Sequence, residues 1–200
     1  YLDQNGLKFL ADSYLLELEK TNTTDFLYYA SSSYLLRFGN TPEFQSLKLD
    51  ISKIKKQPAK YVHRELLYQL KEKLPKKTNL SLYPFTIKKG ANYYGIVFGA
   101  SHPRAVDKFL KTSWKRNETN GSANFDIDDD GSKLQLDIFS GKSLTKIEQF
   151  QQNLRNKILS GEITNNREAF DYVLSQGHIS NHATEVVREL KRARVITYDK

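Results

Sequence analysis

The chain has 200 residues, a net charge of +8, 38% hydrophobic and 12% aromatic residues, and neither Cys nor Met. That length can bury a real core, as one large domain or a medium domain plus a small one. The absence of Cys excludes a disulfide framework and a thiolate metal site. No apolar run is long enough for a bilayer and no signal-peptide pattern is present, so the expectation is a cytoplasmic protein with no membrane partner.

Tyr1-Leu2 reads as the end of a strand, and Asp3-Gln4-Asn5-Gly6 as the loop after it. With no initiator Met, the expectation is that the sequence begins inside a longer chain. Residues 7–20 space their apolar side chains as a helix does. Residues 24–31, "TDFLYYAS", form a short apolar and aromatic run, which predicts a strand buried on both faces as in a parallel sheet. It should lie beside the strand that ends at Leu2. Thr41 and Pro42 predict a helix start, and 58–74 an amphipathic helix. Residues 78–88 and 92–100 read as antiparallel strands, with Gly90 and Asn92 marking a hairpin. A helix follows from Pro103.

The composition then shifts. Residues 117–143 read as a polar linker with an acidic hairpin, so the boundaries are 1–116, 117–143 and 144–200. The last segment predicts three helices, the first two closed by Gly161 and Gly177. The third should be capped by Ser180 or Asn181, and a strand, "RVITYD", should follow it. This order matches a winged-helix or helix-turn-helix module. Phe170, Val173 and Leu174 of the second helix should point inward, as should Ala183, Val186, Val187 and Leu190 of the third.

Charge is concentrated. Residues 46–77 hold ten basic and three acidic side chains, whereas 145–200 hold nine and seven. The first stretch, within a helical insertion at 38–77, predicts a phosphate-binding surface carried by Lys53, Lys55, Lys56, Lys60 and Arg64. On the third helix of the last segment, Asn181, His182, Arg188, Lys191 and Arg192 are the candidate nucleic-acid contacts. Glu185 and Glu189 interrupt that basic face. Partners on this reading are DNA or RNA, and a solvated surface or a protein-docking helix is the alternative. Asp126 to Gly131 imitates the start of a calcium loop, but its twelfth position is Asp137, not Glu, and no helices are predicted to flank it, so no metal site is expected.

Four blocks carry a resemblance: "YLDQNG", "TDFLYYASSSYLLRF", "TPEFQ" and "YYGIVFGASHPRAVDKFLKTSW". In sequence and spacing they resemble the three-Cys-motif partner family, bacterial proteins with a methyltransferase-like Rossmann domain and a C-terminal winged helix. The resemblance implies an α/β fold comprising the closing part of a methyltransferase sheet and a winged-helix domain. It implies S-adenosylmethionine as cofactor of the parent protein, and it places Asp3, Gln4 and Asn5 at the position of the catalytic motif. Asn5 departs from the aromatic residue usual there. The family's glycine-rich cofactor loop has no counterpart in this sequence, so this chain alone should be inactive. The family name implies a three-Cys-motif protein as partner. The rival reading is a non-catalytic nucleic-acid- or protein-binding module of a two-gene bacterial system.

Overall fold

Three strands organise the first two-thirds of the chain in a computed structural model that describes residues 12–21, 23–45, 47–133 and 143–197. Helix α1 (Asp12–Lys20) leads to β1 (Phe26–Ser31), and four short helical segments follow: α2 (Ser32–Phe38), α3 (Pro42–Gln45), α4 (Ile51–Lys56) and a 3-10 turn (Ala59–Tyr61). Helix α5 (Val62–Glu72) then precedes the hairpin of β2 (Ser81–Lys89) and β3 (Asn92–Ala100), and α6 (Pro103–Arg116) closes this part. Gly90 turns the hairpin with φ +60°, a conformation that suits Gly best. Pro103 takes the first position of α6, and His102 caps it by accepting from the Arg104 amide at 3.1 Å.

The strand order is β1-β3-β2, with β3 antiparallel to both neighbours. Both predicted strands of the hairpin are present, and so is the strand at 24–31. Its environment differs from the expectation. β1 pairs antiparallel with β3, and Leu27 stays 41% exposed, so β1 is not buried on both faces along its length. The predicted neighbour at Leu2 lies outside the described residues.

The two faces of the sheet have separate covers. Tyr28, Ala30, Leu82 and Val97 pack under α1, α2, α4 and α5, with Leu15, Leu35, Ile54 and Leu66 from those helices. Tyr83, Phe98 and Ala100 face α6, whose Val106, Leu110 and Trp114 pack with them. His63 of α5 fits only because the sheet is pared away beneath it. Gly95 is in register with Ala30 and Thr86, and a Cβ there would lie 2.0 Å from the imidazole. His63 Nε2 donates to the Ala30 carbonyl at 2.9 Å, while its buried Nδ1 has no partner.

The outer edge of β2 explains Pro84. Alternate residues there direct their amides away from β3. Thr86 N donates to Ser122 O at 2.8 Å, and Lys88 N donates to Asn124 Oδ1 at 2.8 Å. Pro84 stands at the next such position, where it leaves no unmatched donor. The linker thus covers one end of the edge and leaves the other to a cleft.

The acidic segment does not form the predicted hairpin over its described part. Asp126 accepts from the amides of Asp130 and Gly131, at 2.9 and 2.7 Å, and starts a helical turn, α7 (Asp130–Lys133). Local capping by Asp competes with strand pairing, and residues 134–142 lie outside the described ones. The last three helices are α8 (Lys146–Leu159), α9 (Asn166–Ser175) and α10 (Ser180–Arg192). Their own core is Phe150, Leu154, Ile163, Val173, Ala183, Val186 and Leu190. Four details differ from expectation. Ile179, not Ser180 or Asn181, occupies the N-cap of α10. Phe170 and Leu174 pack on Tyr83, Trp114 and their neighbours, not on the helical core, and Val187 is only partly buried. No strand forms over 194–197, where Arg194 turns the chain with φ +55°.

Candidate nucleic-acid interface

Helix α8 begins with a capping box: Thr145 accepts from the Glu148 amide, and the Glu148 carboxylate accepts from the Thr145 amide at 3.0 Å. Asn165 caps α9 by accepting from the amides of Arg167 and Glu168, both at 3.0 Å. Gly177, with φ +72°, reverses the chain between α9 and α10. This is the tight turn that a helix-turn-helix requires.

Helix α10 buries Ala183, Val186 and Leu190 and exposes the opposite side. A rotation of about 100° per residue places Asn181, Arg188 and Arg192 together on that outer side. The two acids that interrupt the basic face in sequence lie on the flank toward α8. Gln151 donates to Glu185 at 2.8 Å, and Arg155 pairs with Glu189. Arg188 and Arg192 have no ion pair among the described residues. Lys191 is exposed on the other flank.

His182 is placed differently from the sequence expectation. Its ring meets Trp114 edge-on at 4.4 Å, and its Nδ1 lies 3.0 Å from His178 Nδ1. One of the two must donate and the other accept, so this contact needs at least one neutral imidazole. His178 is 3% exposed and stacks on Phe150 at 4.1 Å. Burial, with Lys146 and His182 beside it, holds the His178 pKa down to about 2, and burial also lowers that of His182. His182 therefore serves the packing of α10 against α6.

The same junction carries three further ties. Trp114 Nε1 donates to Gly177 O at 2.9 Å, and Tyr83 Oη donates to Leu174 O at 2.7 Å. Arg64 grips Asp128 with both terminal nitrogens, at 2.5 and 2.7 Å. Burial acts to raise the Asp128 pKa, but the Arg64 fork and Asn120 outweigh it, and the carboxyl ends below its usual value. The last three helices are thus fixed to the sheet through α6 and β2, and the linker is fixed through α5.

The basic insertion divides in two. Lys53, Lys55 and Lys56 stand exposed on α4, with Asp50 3.9 Å from Lys53. Lys60 and Arg64 are committed to Asp129 and Asp128. These two tie the acidic segment down and are not open to phosphate in this arrangement. The acids that imitate a calcium loop are spread over separate partners: Asp126 on amides, Asp128 on Arg64, Asp129 on Lys60 and Asp130 on Lys133. Asp3, Gln4 and Asn5 lie outside the described residues. At the end of β1, Ser31 caps α2 and contacts Ser33 at 2.9 Å, while Ser32 contacts Ala59 O and His63.

Residues 124–200 match the family model of the GMT-like wHTH domain. The C-terminal part of the chain is a winged helix-turn-helix module. Searches of curated proteins and of solved structures gave no match to the chain. No helix among the described residues is long and apolar enough to cross a membrane.

Sequence reasoning missed Trp114, Tyr83 and Asp128 as the ties of the junction, and Gln151 and Arg155 as the groups that turn the α10 acids aside. The Thr145-x-x-Glu148 capping box is a readable signal for the start of α8. The cross-element partners have none in a single sequence.

Proposed function

We propose that the protein binds duplex DNA through the outer face of α10. The observation that supports this most is the sorting of charge around that helix. Glu185 and Glu189 are held against α8, while Asn181, Arg188 and Arg192 share the open side. Arginine and asparagine can each hydrogen-bond base edges with two groups, and arginine also holds phosphates. The B-form major groove admits an α-helix, whereas the deep, narrow major groove of RNA does not. Lys53, Lys55 and Lys56 on α4 offer a second surface, of phosphate contacts alone.

Fluorescence anisotropy on a random duplex pool at about 50 mM salt, where phosphate attraction is strong, tests this. Arg188→Ala with Arg192→Ala should weaken binding and lower the salt slope by about 0.9 per lost phosphate contact. Lys53, Lys55 and Lys56 changed together to Ala should have the smaller effect. Absence of binding by the unmodified chain, or indifference to the two arginines, refutes the assignment and leaves α10 as a protein-docking helix.

A second reading has one specific observation in its favour. β1 and β2 run in the same direction with the reversed β3 between them. This is compatible with the closing strands of a methyltransferase-like sheet, as the resemblance implies. We propose on that basis that the α/β part belongs to an S-adenosylmethionine-dependent, methyltransferase-like parent of the three-Cys-motif partner kind, with a three-Cys-motif protein as partner. Fold analogy alone does not carry catalysis.

A further inference from the structure

The open end of the β2 edge borders a cavity of about 320 Å³ between the sheet and the winged helix. That size falls at the lower end of small-molecule sites. Leu67 of α5, Pro84 of β2 and Leu110 of α6 give it apolar walls, and Tyr83 adds a ring. The Tyr83 hydroxyl is already committed to Leu174 O, so the ring is fixed in place.

Charge in this cavity is not balanced. Arg64, Lys71 and Lys146 line it together with a single carboxylate, Asp128. Asp128 is fully engaged, by both nitrogens of Arg64 and by Asn120. Lys146 stands at the first position of α8, where its amide lies 3.4 Å from the Asp130 carboxylate. Among the described residues its ammonium has one long contact, 3.4 Å to Asn120 Oδ1, and lies 5.1 Å from the centre of the Trp114 ring. An ammonium carries three donors, so this one is under-partnered. Burial, and then repulsion from Arg64, push its pKa down to about 8, against the weaker pull of the Asp128 and Asp130 carboxylates. Lys71 is exposed at the mouth, 5.8 Å from the Tyr83 ring centre.

We propose that this cleft binds a phosphate monoester with a planar organic body, of the nucleoside 5′-monophosphate class. The excess of two positive charges matches the charge of about −1.5 to −2 on a monoester near neutral pH. A carboxylate would neutralise only half of it. The apolar walls and the tyrosine ring suit a base, which places the phosphate toward Lys146 and Lys71. No residue of α10 lines the cleft, so this site stands independently of the DNA-binding face.

Calorimetric titration of the full chain with adenosine 5′-monophosphate, adenosine and inorganic phosphate tests the assignment. The monophosphate should bind, with adenosine at least about tenfold weaker, a gap expected when charge-assisted contacts are removed. Lys146→Gln should cost the monophosphate about tenfold or more. Lys71→Gln, at an exposed position that leaves the fold intact, should weaken it in the same direction. Three results overturn the proposal: no heat from monophosphate or phosphate at about 10 mM, far above the range of specific sites; equal binding of adenosine and its monophosphate; or unchanged affinity in Lys71→Gln and Lys146→Gln alike. Competitive displacement of the monophosphate by duplex DNA would also overturn it, by assigning the cleft to a backbone phosphate.

Discussion

Lowering the pH from about 7.5 to about 5 should destabilise this protein by about 4 kcal/mol. The figure comes from two imidazoles. His63 is fully buried, its Nε2 hydrogen is committed to Ala30 O, and a second proton would have to sit on an Nδ1 that faces no acceptor. Burial holds its pKa down to about 4. His178 is held lower still, at about 2. In the unfolded chain both titrate near the ordinary value of about 6.5. Between that value and the folded one, the unfolded state binds more protons, so stability falls as pH falls. At about pH 5 each folded histidine is still neutral and each unfolded one is mostly charged, which costs about 2 kcal/mol per group. The result depends little on how far below 5 the folded values lie. The lowered pKa of Asp128 acts later, as pH drops through the carboxylate range. Urea unfolding at the two pH values measures the difference, and the imidazole proton resonances assign it. A chain equally stable at both values, or a His63 resonance that titrates near 6.5 while the fold persists, would refute the reasoning.

Gly95→Ala should destabilise the fold by about 1–3 kcal/mol or more, the usual range for overpacking. The new methyl would lie 2.0 Å from a fully buried His63 ring that has no room to retreat; chemical denaturation reads this directly, and wild-type stability would refute the packing argument. Titration of the chain with S-adenosylmethionine should give weak binding or none, because the described residues at the end of β1 spend their polar groups on one another. Micromolar affinity measured by calorimetry would contradict this.

Parts of this architecture that depend on near neighbours are legible in the sequence. Gly90 and Asn92 announce the hairpin, Pro103 the start of α6, and Gly161 and Gly177 the ends of α8 and α9. Each is a local backbone requirement written at its own position. Pairing direction is not local. The apolar run of β1 says that a strand forms but not that β3 lies beside it running the other way. Likewise, Glu185 and Glu189 look obstructive in sequence because their partners, Gln151 and Arg155, are more than thirty residues away on α8.

Helix α9 shows where a finer reading was available. Its apolar residues are Ala169, Phe170, Tyr172, Val173 and Leu174, half of a ten-residue helix. A helix covering one core needs a single stripe. At about 100° per residue these positions spread over an arc of about 200°, with Ala169, Tyr172 and Val173 as the stripe along one edge and Phe170 and Leu174 as the stripe along the other. The first stripe packs in the winged helix and the second on the sheet domain. The excess of apolar residues is the sequence record of a second surface. The hydrogen bond from Tyr83 to Leu174 O, at 2.7 Å, lies where that second stripe meets the sheet. A module made only to bind DNA would have no use for Phe170 and Leu174 turned away from its own core. Their placement makes the α/β part and the winged helix a joined unit, in which the position of α10 is set by the sheet that α6 and α9 share.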